Sequence, residues 1–224
     1  MRYILSILLI FNIISITAQD NITRKITPFS EIKVFDGIAA ELIKSEENKI
    51  EISGYEPEQV TVVQKNGKLK IRMKVDKILD GHETFVKVYY TNRIAVVDAN
   101  ENARISSTSP LEQIDLEVRA QEAGIIDLDV GLRRLKVKSV TGGRITLRGT
   151  AANQDVSINT GGQYEADALI TEQTEVSVSA GGQAYVNASE YVEAKVRAGG
   201  TIRIFGDPKV IDRQTFLGGR IIEQ

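Results

Sequence analysis

Hydrophobic and polar residues alternate with a period of two over most of residues 22–97 of this 224-residue chain. Such alternation is typical of strands that bury one face. Turn-forming residues separate the alternating runs at Asp36-Gly37, Ser53-Gly54, Asn66-Gly67 and Asp80-Gly81. The pattern therefore predicts a series of short strands joined by tight turns.

Two local signals refine this prediction. Asn66-Gly67 predicts a two-residue hairpin, because both residues tolerate the positive φ that a type I′ turn requires. Residues 39–48 (AAELIKSEEN) contain good helix formers, which favours a helix. Gly37 precedes them, however, and no capping residue opens a helix cleanly. We therefore predict a strand over residues 38–43.

From about residue 100 the chain is dominated by a recurring pair of glycines. The pairs are Gly142-Gly143, Gly161-Gly162, Gly181-Gly182, Gly199-Gly200 and Gly218-Gly219. Their first members are 19, 20, 18 and 19 residues apart, and Ala123-Gly124 and Asn102-Ala103 are degenerate copies upstream. A period of this length indicates a solenoid. We predict an all-β fold, a single-stranded parallel β-helix with coils of about 19 residues over 101–224 and a less regular β-rich half over 19–100.

Positions at fixed offsets from the glycine pair are apolar in nearly every coil. The columns are Ile126, Ile145, Tyr164, Ala184, Ile202 and Ile221; Leu128, Leu147, Ala166, Val186 and Ile204; Val118, Val137, Val156, Val176 and Ala194; and Ala120, Ser139, Ile158, Val178 and Val196. The period of two within a strand and the longer period between coils together place these columns in one continuous interior.

The glycine pairs themselves are expected to form the structural corners of the coil. Glycine reaches positive φ without a Cβ clash, and it lets stacked backbones approach one another. A phosphate-binding loop would also use glycines, but it requires a helix after them. Here a strand pattern follows each pair, which argues against phosphate binding.

Composition narrows the class of function. The chain carries 28 basic and 30 acidic residues, so it has no polycationic character suited to non-specific nucleic-acid binding. It contains no cysteine, which excludes disulfides, thiolate metal sites and a cysteine nucleophile. We expect no cofactor and no nucleic-acid partner.

The first 18 residues predict a cleaved signal peptide. Arg2 supplies the positive charge, residues 4–16 are largely apolar, and Thr17-Ala18 places a small residue before Gln19. A membrane anchor would need roughly 20 apolar residues, and this run is shorter. The mature chain is therefore expected to begin near Gln19, to be exported without a transmembrane span, and to reside in the periplasm or at the cell surface.

Several short motifs carry a resemblance to a known family. They are residues 29–34 (FSEIKV), 36–42 (DGIAAEL), 50–54 (IEISG) and 67–71 (GKLKI), followed by the glycine-pair coils. With these motifs the chain resembles, over residues 26–224, the head GIN domain family of putative auto-transporter adhesins, a set of exported bacterial proteins. The resemblance implies a β-solenoid and an envelope or surface location. The chain departs from the family at the GIN-like motif, which here is Gly37-Ile38-Ala39.

Outward-facing columns provide the candidate binding residues. Asp127, Thr146, Glu165, Tyr185 and Arg203 form one line, and Asp129, Arg148, Asp167, Asn187 and Phe205 form the next. One interpretation is a solvated sheet face on which Asp129, Arg148 and Asp167 alternate in charge. Another is a face that binds carbohydrate or a cation. The candidate ligand-binding residues are Asp127, Asp129, Arg148, Glu165, Asp167 and Tyr185.

Catalysis is the alternative to binding. Asp127 and Glu165 would lie two coils apart, about 9.6 Å at strand spacing, near the upper limit for an inverting carboxylate pair. No hydrolase or lyase motif accompanies them, so no catalytic residue is assigned. His82 is the single histidine and lies in a turn, which argues against a histidine triad or a zinc site.

The sequence thus favours an exported, non-enzymatic surface or periplasmic module for binding or adhesion, with carbohydrate or another envelope component as partner. A β-helical polysaccharide lyase or hydrolase is the alternative. The last glycine pair is followed by Arg220-Ile221-Ile222-Glu223-Gln224 with no polar cap. Because an uncapped coil exposes its core and its strand edges, we expect a second subunit or a returning loop of the chain to cover this end, and we favour a homo-oligomer.

Overall fold

The computed structural model describes residues 21–224, and the predicted signal peptide lies outside this range. About 66% of the chain is strand. The strands are β1 (Ile22–Lys25), β2 (Glu31–Val34), β3 (Ala39–Lys44), β4 (Lys49–Gly54), β5 (Val60–Lys65), β6 (Lys68–Met73), β7 (Thr84–Tyr90), β8 (Val96–Ala99), β9 (Arg104–Ser107), β10 (Leu111–Ala120), β11 (Ile125–Ser139), β12 (Arg144–Ile158), β13 (Gln163–Ser179), β14 (Gln183–Arg197), β15 (Thr201–Phe205), β16 (Val210–Phe216) and β17 (Arg220–Glu223).

The helical segments of residues 21–224 are three single 3₁₀ turns, at Pro57–Gln59, Val75–Lys77 and Gly81–Glu83. None of them has the length and apolar character needed to cross a bilayer. Residues 38–43, whose composition also suited a helix, form most of β3, as predicted.

Long strands stacked in parallel build the solenoid, with about seven turns and coils of about 19 residues. Strands β11, β12, β13 and β14 each run from one glycine corner to the next and pair with their neighbours in order. Residues one coil apart in the predicted columns lie opposite each other, as Ile126 does to Ile145 and Val137 to Val156. The columns are buried, apart from a partly exposed Ile221 in the last coil. The predicted parallel β-solenoid is therefore confirmed.

The alternation of buried and exposed residues is interrupted within each long strand. In β11 the alternation is interrupted where Arg133 and Arg134 are both exposed, and Leu135 then resumes the buried side. A coil thus has a leading segment after the corner (residues 125–132 in β11) and a trailing segment before the next corner (residues 135–139). We call the outer surfaces of these stacked segments the leading face and the trailing face.

Two consecutive left-handed residues make each corner. Thr160 and Gly161 have φ of 47° and 70°, and the following Gly162 has no room for a side chain, because a Cβ there would lie 2.5 Å from the Ser139 carbonyl oxygen. Corners of successive coils bond to one another, since the Gly142 N–H donates to the Thr160 carbonyl at 3.1 Å. The same left-handed pair recurs upstream without a glycine at Glu122-Ala123 and Glu101-Asn102, and with one at Asp36-Gly37.

The N-terminal half combines parallel coils with antiparallel pairs. Strands β8 and β9 continue the stack below β10 and β11, and β2 and β3 lie below them, on β6 and β7. Beyond this level the sheet becomes antiparallel, with β5 against β6, β4 against β7 and β1 against β4. Asn66 and Gly67 form the predicted two-residue hairpin with φ of 52° and 72°.

Candidate functional site

One row of outward side chains runs along the leading face, and we call it the leading row. From the N-terminal side it consists of Lys87, Glu41, Ser106, Asp127, Thr146, Glu165, Tyr185 and Arg203. The last five members were placed in one line by the sequence, and they do lie in consecutive register. Lys87 and Glu41 belong to the N-terminal half, where the absence of a repeated glycine pair hid their alignment, and Ser106 follows the degenerate copy Asn102-Ala103.

Arg148 joins two of the candidate residues into an ion-pair cluster. Its Nε lies 3.0 Å from Asp129 Oδ1, and its terminal nitrogen donates to Asp127. Burial alone would lower the pKa of Arg148, but hydrogen bonds and charge from Asp127 and Asp129 outweigh it, so the pKa is raised. Arg148 therefore neutralises much of the negative charge at this point of the face.

Asp167 does not join this cluster, and the predicted alternation of Asp129, Arg148 and Asp167 is wrong in its last member. The register between β12 and β13 shifts after Thr146, so Gly149 pairs with Leu169 and Asp167 falls within an irregularity. The Asp167 carbonyl accepts a hydrogen bond from the Asn187 side chain at 2.8 Å. The 20-residue spacing of the glycine pairs shows that this coil contains one extra residue. The extra residue moves Asp167 out of the second predicted line.

The C-terminal part of the leading face carries aromatic side chains. Tyr185 and Phe205 pack edge to face with ring centroids 6.5 Å apart, and the Arg203 guanidinium lies 5.6 Å from the Tyr185 centroid. Glu165 precedes Tyr185 in the row and accepts a 3.4 Å hydrogen bond from Thr146. This segment offers apolar ring surface next to a carboxylate and a guanidinium.

A depression of about 580 Å³ lies at the N-terminal end of the leading face. Its lining includes Ala39, Glu41, Phe85, Arg104, Ile125 and Asp127. Ala39 pairs with Phe85 on one side and with Arg104 on the other. Its short methyl side chain lies between these two long side chains, and the difference in length creates the depression. The Phe85 ring is 52% exposed, which leaves it available for contact.

Sequence reasoning missed this depression. The signal that could have found it is Phe85, an aromatic residue at an outward position of an alternating strand. Its significance depends on the two neighbouring strands, which come from other parts of the chain. Asp127 is the candidate residue that links the depression to the leading row.

The carboxylates of the leading face and His82 are the side chains relevant to metal binding and catalysis. Within residues 21–224 no group of three or more Asp, Glu or His side chains is placed to hold a metal ion. His82 is exposed in the 3₁₀ turn at Gly81–Glu83, with its ring beside Gly37. Asp127 and Glu165 are separated by one strand, as expected, but Asp127 is held in the ion pair with Arg148.

Several solved bacterial structures share this fold. A putative adhesin from Bacteroides fragilis NCTC 9343 has a TM-score of 0.82 at 21% identity, covering 92% of this chain and 97% of its own. A putative lipid binding protein from Parabacteroides distasonis ATCC 8503 has a TM-score of 0.71 at 16% identity, covering 91% and 96%. A putative adhesin from Parabacteroides merdae ATCC 43184 has a TM-score of 0.65 at 18% identity, covering 92% and 95%.

Sequence comparison is consistent with these structures. The family model described as "Putative auto-transporter adhesin, head GIN domain" matches residues 28–208. No curated protein matches the chain.

Proposed function

Because this chain belongs to the family of putative auto-transporter adhesins with a head GIN domain, we propose that it is an exported adhesion module that binds carbohydrate on its leading face and does not chemically alter it. The family description supports the adhesin-like role and a location outside the cytoplasm. The periplasm or the cell surface, predicted from the first 18 residues, is the proposed location.

The depression around Phe85 is the observation that carries the carbohydrate assignment. A sugar ring presents an apolar C–H face and a rim of hydroxyl groups. The exposed Phe85 ring can stack on the former, while Glu41, Arg104 and Asp127 can bond the latter. Further along the same face, Tyr185 and Glu165 offer the same combination, so an extended glycan would find contacts over several coils.

The ion pair between Asp127 and Arg148 favours binding over hydrolysis. An inverting glycosidase needs one carboxylic acid to protonate the leaving group and one carboxylate to activate water. One carboxylate oxygen of Asp127 is held in the ion pair with Arg148, so this carboxylate is not free to act as the acid or the base of such a pair. A polysaccharide lyase or hydrolase remains the competing proposal.

One experiment tests both the carbohydrate-binding proposal and the competing enzyme proposal. The protein is incubated with a panel of neutral and acidic polysaccharides, and both retention on the polymer and the release of reducing or unsaturated ends are measured. We expect retention without new ends. For a neutral polymer that is retained, Phe85→Ala should weaken binding about tenfold, because the stacking surface is lost.

Phe216→Ala is the matched control, since Phe216 is 64% exposed on β16, the last strand stacked on the trailing segments, well away from the depression. It should leave retention unchanged. Equal effects of the two substitutions would contradict the assignment of the site, and release of new chain ends by the wild-type protein would favour the enzyme. Retention on lipid vesicles alone would instead assign a lipid ligand, as in the name of the Parabacteroides distasonis structure.

A further inference from the structure

The trailing face carries two rows of outward side chains that change sign along the solenoid. The first row is Lys68, Glu31, Val96, Glu117, Lys136, Asp155, Glu175, Glu193 and Asp212, and the second is Lys70, Lys33, Asp98, Arg119, Lys138, Ser157, Ser177, Lys195 and Gln214. Up to β11 the rows are predominantly basic. From β12 onward the first row contains only carboxylates.

The carboxylates in the basic half are occupied by their own partners. Asp98 is buried, with one oxygen 2.9 Å from Lys33 Nζ and the other 3.0 Å from the Asn100 side chain. Glu117 holds Arg119 through two contacts of 2.8 Å each. These acids therefore position Lys33 and Arg119.

Two further cations in this half have no such partner. Lys136 and Lys138 are exposed on β11, and neither forms an ion pair with any residue of the range 21–224. A depression of about 390 Å³ lies between them and the two positioned cations, lined by Lys33, Asp98, Glu117, Arg119, Lys136 and Lys138. Four cations and two already occupied carboxylates thus surround one concave surface.

We propose that this basic patch, formed by Lys33, Lys70, Arg119, Lys136 and Lys138, binds a linear acidic polysaccharide that lies along the solenoid axis. Adjacent strands are about 4.8 Å apart, so a polymer crossing them meets a new side chain of the row at each coil. The carboxylates of Asp155, Glu175, Glu193 and Asp212 repel a polyanion and set the C-terminal limit of the site.

The chemistry of the patch favours a polysaccharide over other polyanions. A single-stranded nucleic acid would need open aromatic rings on which bases stack. The Phe35 ring beside the rows is covered by the Lys70 ammonium, 4.3 Å from its centroid. A membrane surface would be favoured by large exposed apolar side chains for insertion, and the basic half of the two rows presents none among the described residues.

Binding of the protein to heparin, polygalacturonate and neutral dextran tests the proposal, measured at 20 mM and 300 mM salt. We expect both acidic polymers to bind at low salt through this patch, and the affinity to fall steeply at high salt as counterions compete. Lys136→Ala with Lys138→Ala should lower the affinity for the acidic polymers about tenfold. Lys136→Arg with Lys138→Arg should restore most of it.

Lys25→Ala with Lys74→Ala is the matched control, because it removes the same charge from exposed lysines of β1 and the segment after β6, which are not members of the two rows. It should change the affinity by less than about twofold. Equal losses in the two double variants would overturn the proposal, since net charge alone would then explain binding. Absence of binding at low salt, or binding only to phosphatidylglycerol vesicles, would also overturn it.

The patch is independent of the leading face. Phe85→Ala should leave heparin binding intact, and the lysine variants should leave retention of a neutral glycan intact. The two proposals can therefore fail separately.

Discussion

At the scale of single residues, the two glycines of a corner meet different constraints. Gly161 has a φ of 70° and open space where a Cβ would point. Gly162 has an ordinary φ, but a Cβ there would meet the Ser139 carbonyl oxygen at 2.5 Å. The first position requires a left-handed backbone conformation, which Ala123 also adopts in an earlier corner with a φ of 61°. The second position requires the absence of a side chain.

Substitution by alanine should separate these constraints. Gly161→Ala should lower the free energy of unfolding by about 1 kcal/mol, the usual cost of a left-handed alanine. Gly162→Ala should lower it by about 3 kcal/mol, because backbone must move to make room. Urea denaturation measures both, and equal midpoints, or the reverse order, would contradict the division of roles.

A second residue-scale feature is a polar chain inside the core. The buried Tyr164 phenol donates to Gln154 Oε1 at 2.8 Å, and Gln154 donates to Thr174 at 2.8 Å. Thr171 extends the chain to the Asn187 carbonyl. Burial raises the pKa of the Tyr164 hydroxyl. The sequence indicated that Tyr164 faces inward, but the position of Gln154 relative to it depends on packing across the coil.

Tyr164→Phe should therefore destabilise the protein by about 1–2 kcal/mol, since Gln154 Oε1 loses its donor in the core. Tyr185→Phe, on the surface of the leading face, should change stability by less than about 0.5 kcal/mol. Native Tyr164 keeps its proton while the unfolded phenol ionises above about pH 10, so this group makes stability fall as pH rises. That alkaline loss should be smaller in Tyr164→Phe, and an unchanged slope above pH 10 would contradict the assignment.

At the scale of strands, the trailing face stacks four carboxylates in register. Asp155, Glu175, Glu193 and Asp212 are paired on consecutive strands, and Lys195 bonds Glu193 at 2.6 Å. Like charges directly opposite each other destabilise neighbouring strands. The parallel ladder holds them together because the buried columns on the other side of the same strands fix the register.

Neutralising one member should relieve this repulsion. Glu175→Gln should raise the free energy of unfolding by about 0.5 kcal/mol at low ionic strength, and the gain should vanish at 1 M salt, where the screening length is about 3 Å. Glu165→Gln is the control, since Glu165 lies between Thr146 and Tyr185. A gain that persists in high salt would show that the effect is not electrostatic.

The strands also show which features could be predicted from the sequence and which could not. The columns from Ile126 to Ile202 were predictable, because burial recurs at a fixed offset from a glycine corner. The bend at Arg133-Arg134 was not predicted, because no glycine marks it, and the 20-residue glycine spacing records an extra residue in the coil of Asp167 without giving its position. The half of the candidate residues that belongs to the leading row stays in register across the irregularity in this coil. The half that belongs to the second line does not, because that line is broken at Asp167.

At the scale of the whole molecule, the N-terminal half was difficult to align for a related reason. The corners at Glu101-Asn102 and Glu122-Ala123 adopt the same geometry with residues other than glycine, and in the N-terminal half the left-handed pair at Asp36-Gly37 is not marked by a repeated spacing, so the repeat persists in the backbone after it fades from the sequence. The depression around Phe85 lies in this half and could not be predicted. Self-association through the last coil stays a prediction. Within residues 21–224, the last two strands each have a single neighbour, since β16 pairs only with β14 and β17 only with β15.

The stacking of coils has a mechanical consequence. Hydrogen bonds between coils run along the solenoid axis, so a pull between residues 21 and 224 loads the outermost strand first and peels it away. A coil of 19 residues spans about 65 Å when extended, and its loss shortens the stack by only about 5 Å. Single-molecule stretching should show successive steps of about 60 Å at similar low forces, whereas one cooperative rupture would contradict this. Under tension the protein would lengthen coil by coil and dissipate energy at each step, so a bound face several coils away would stay intact while the end unwinds.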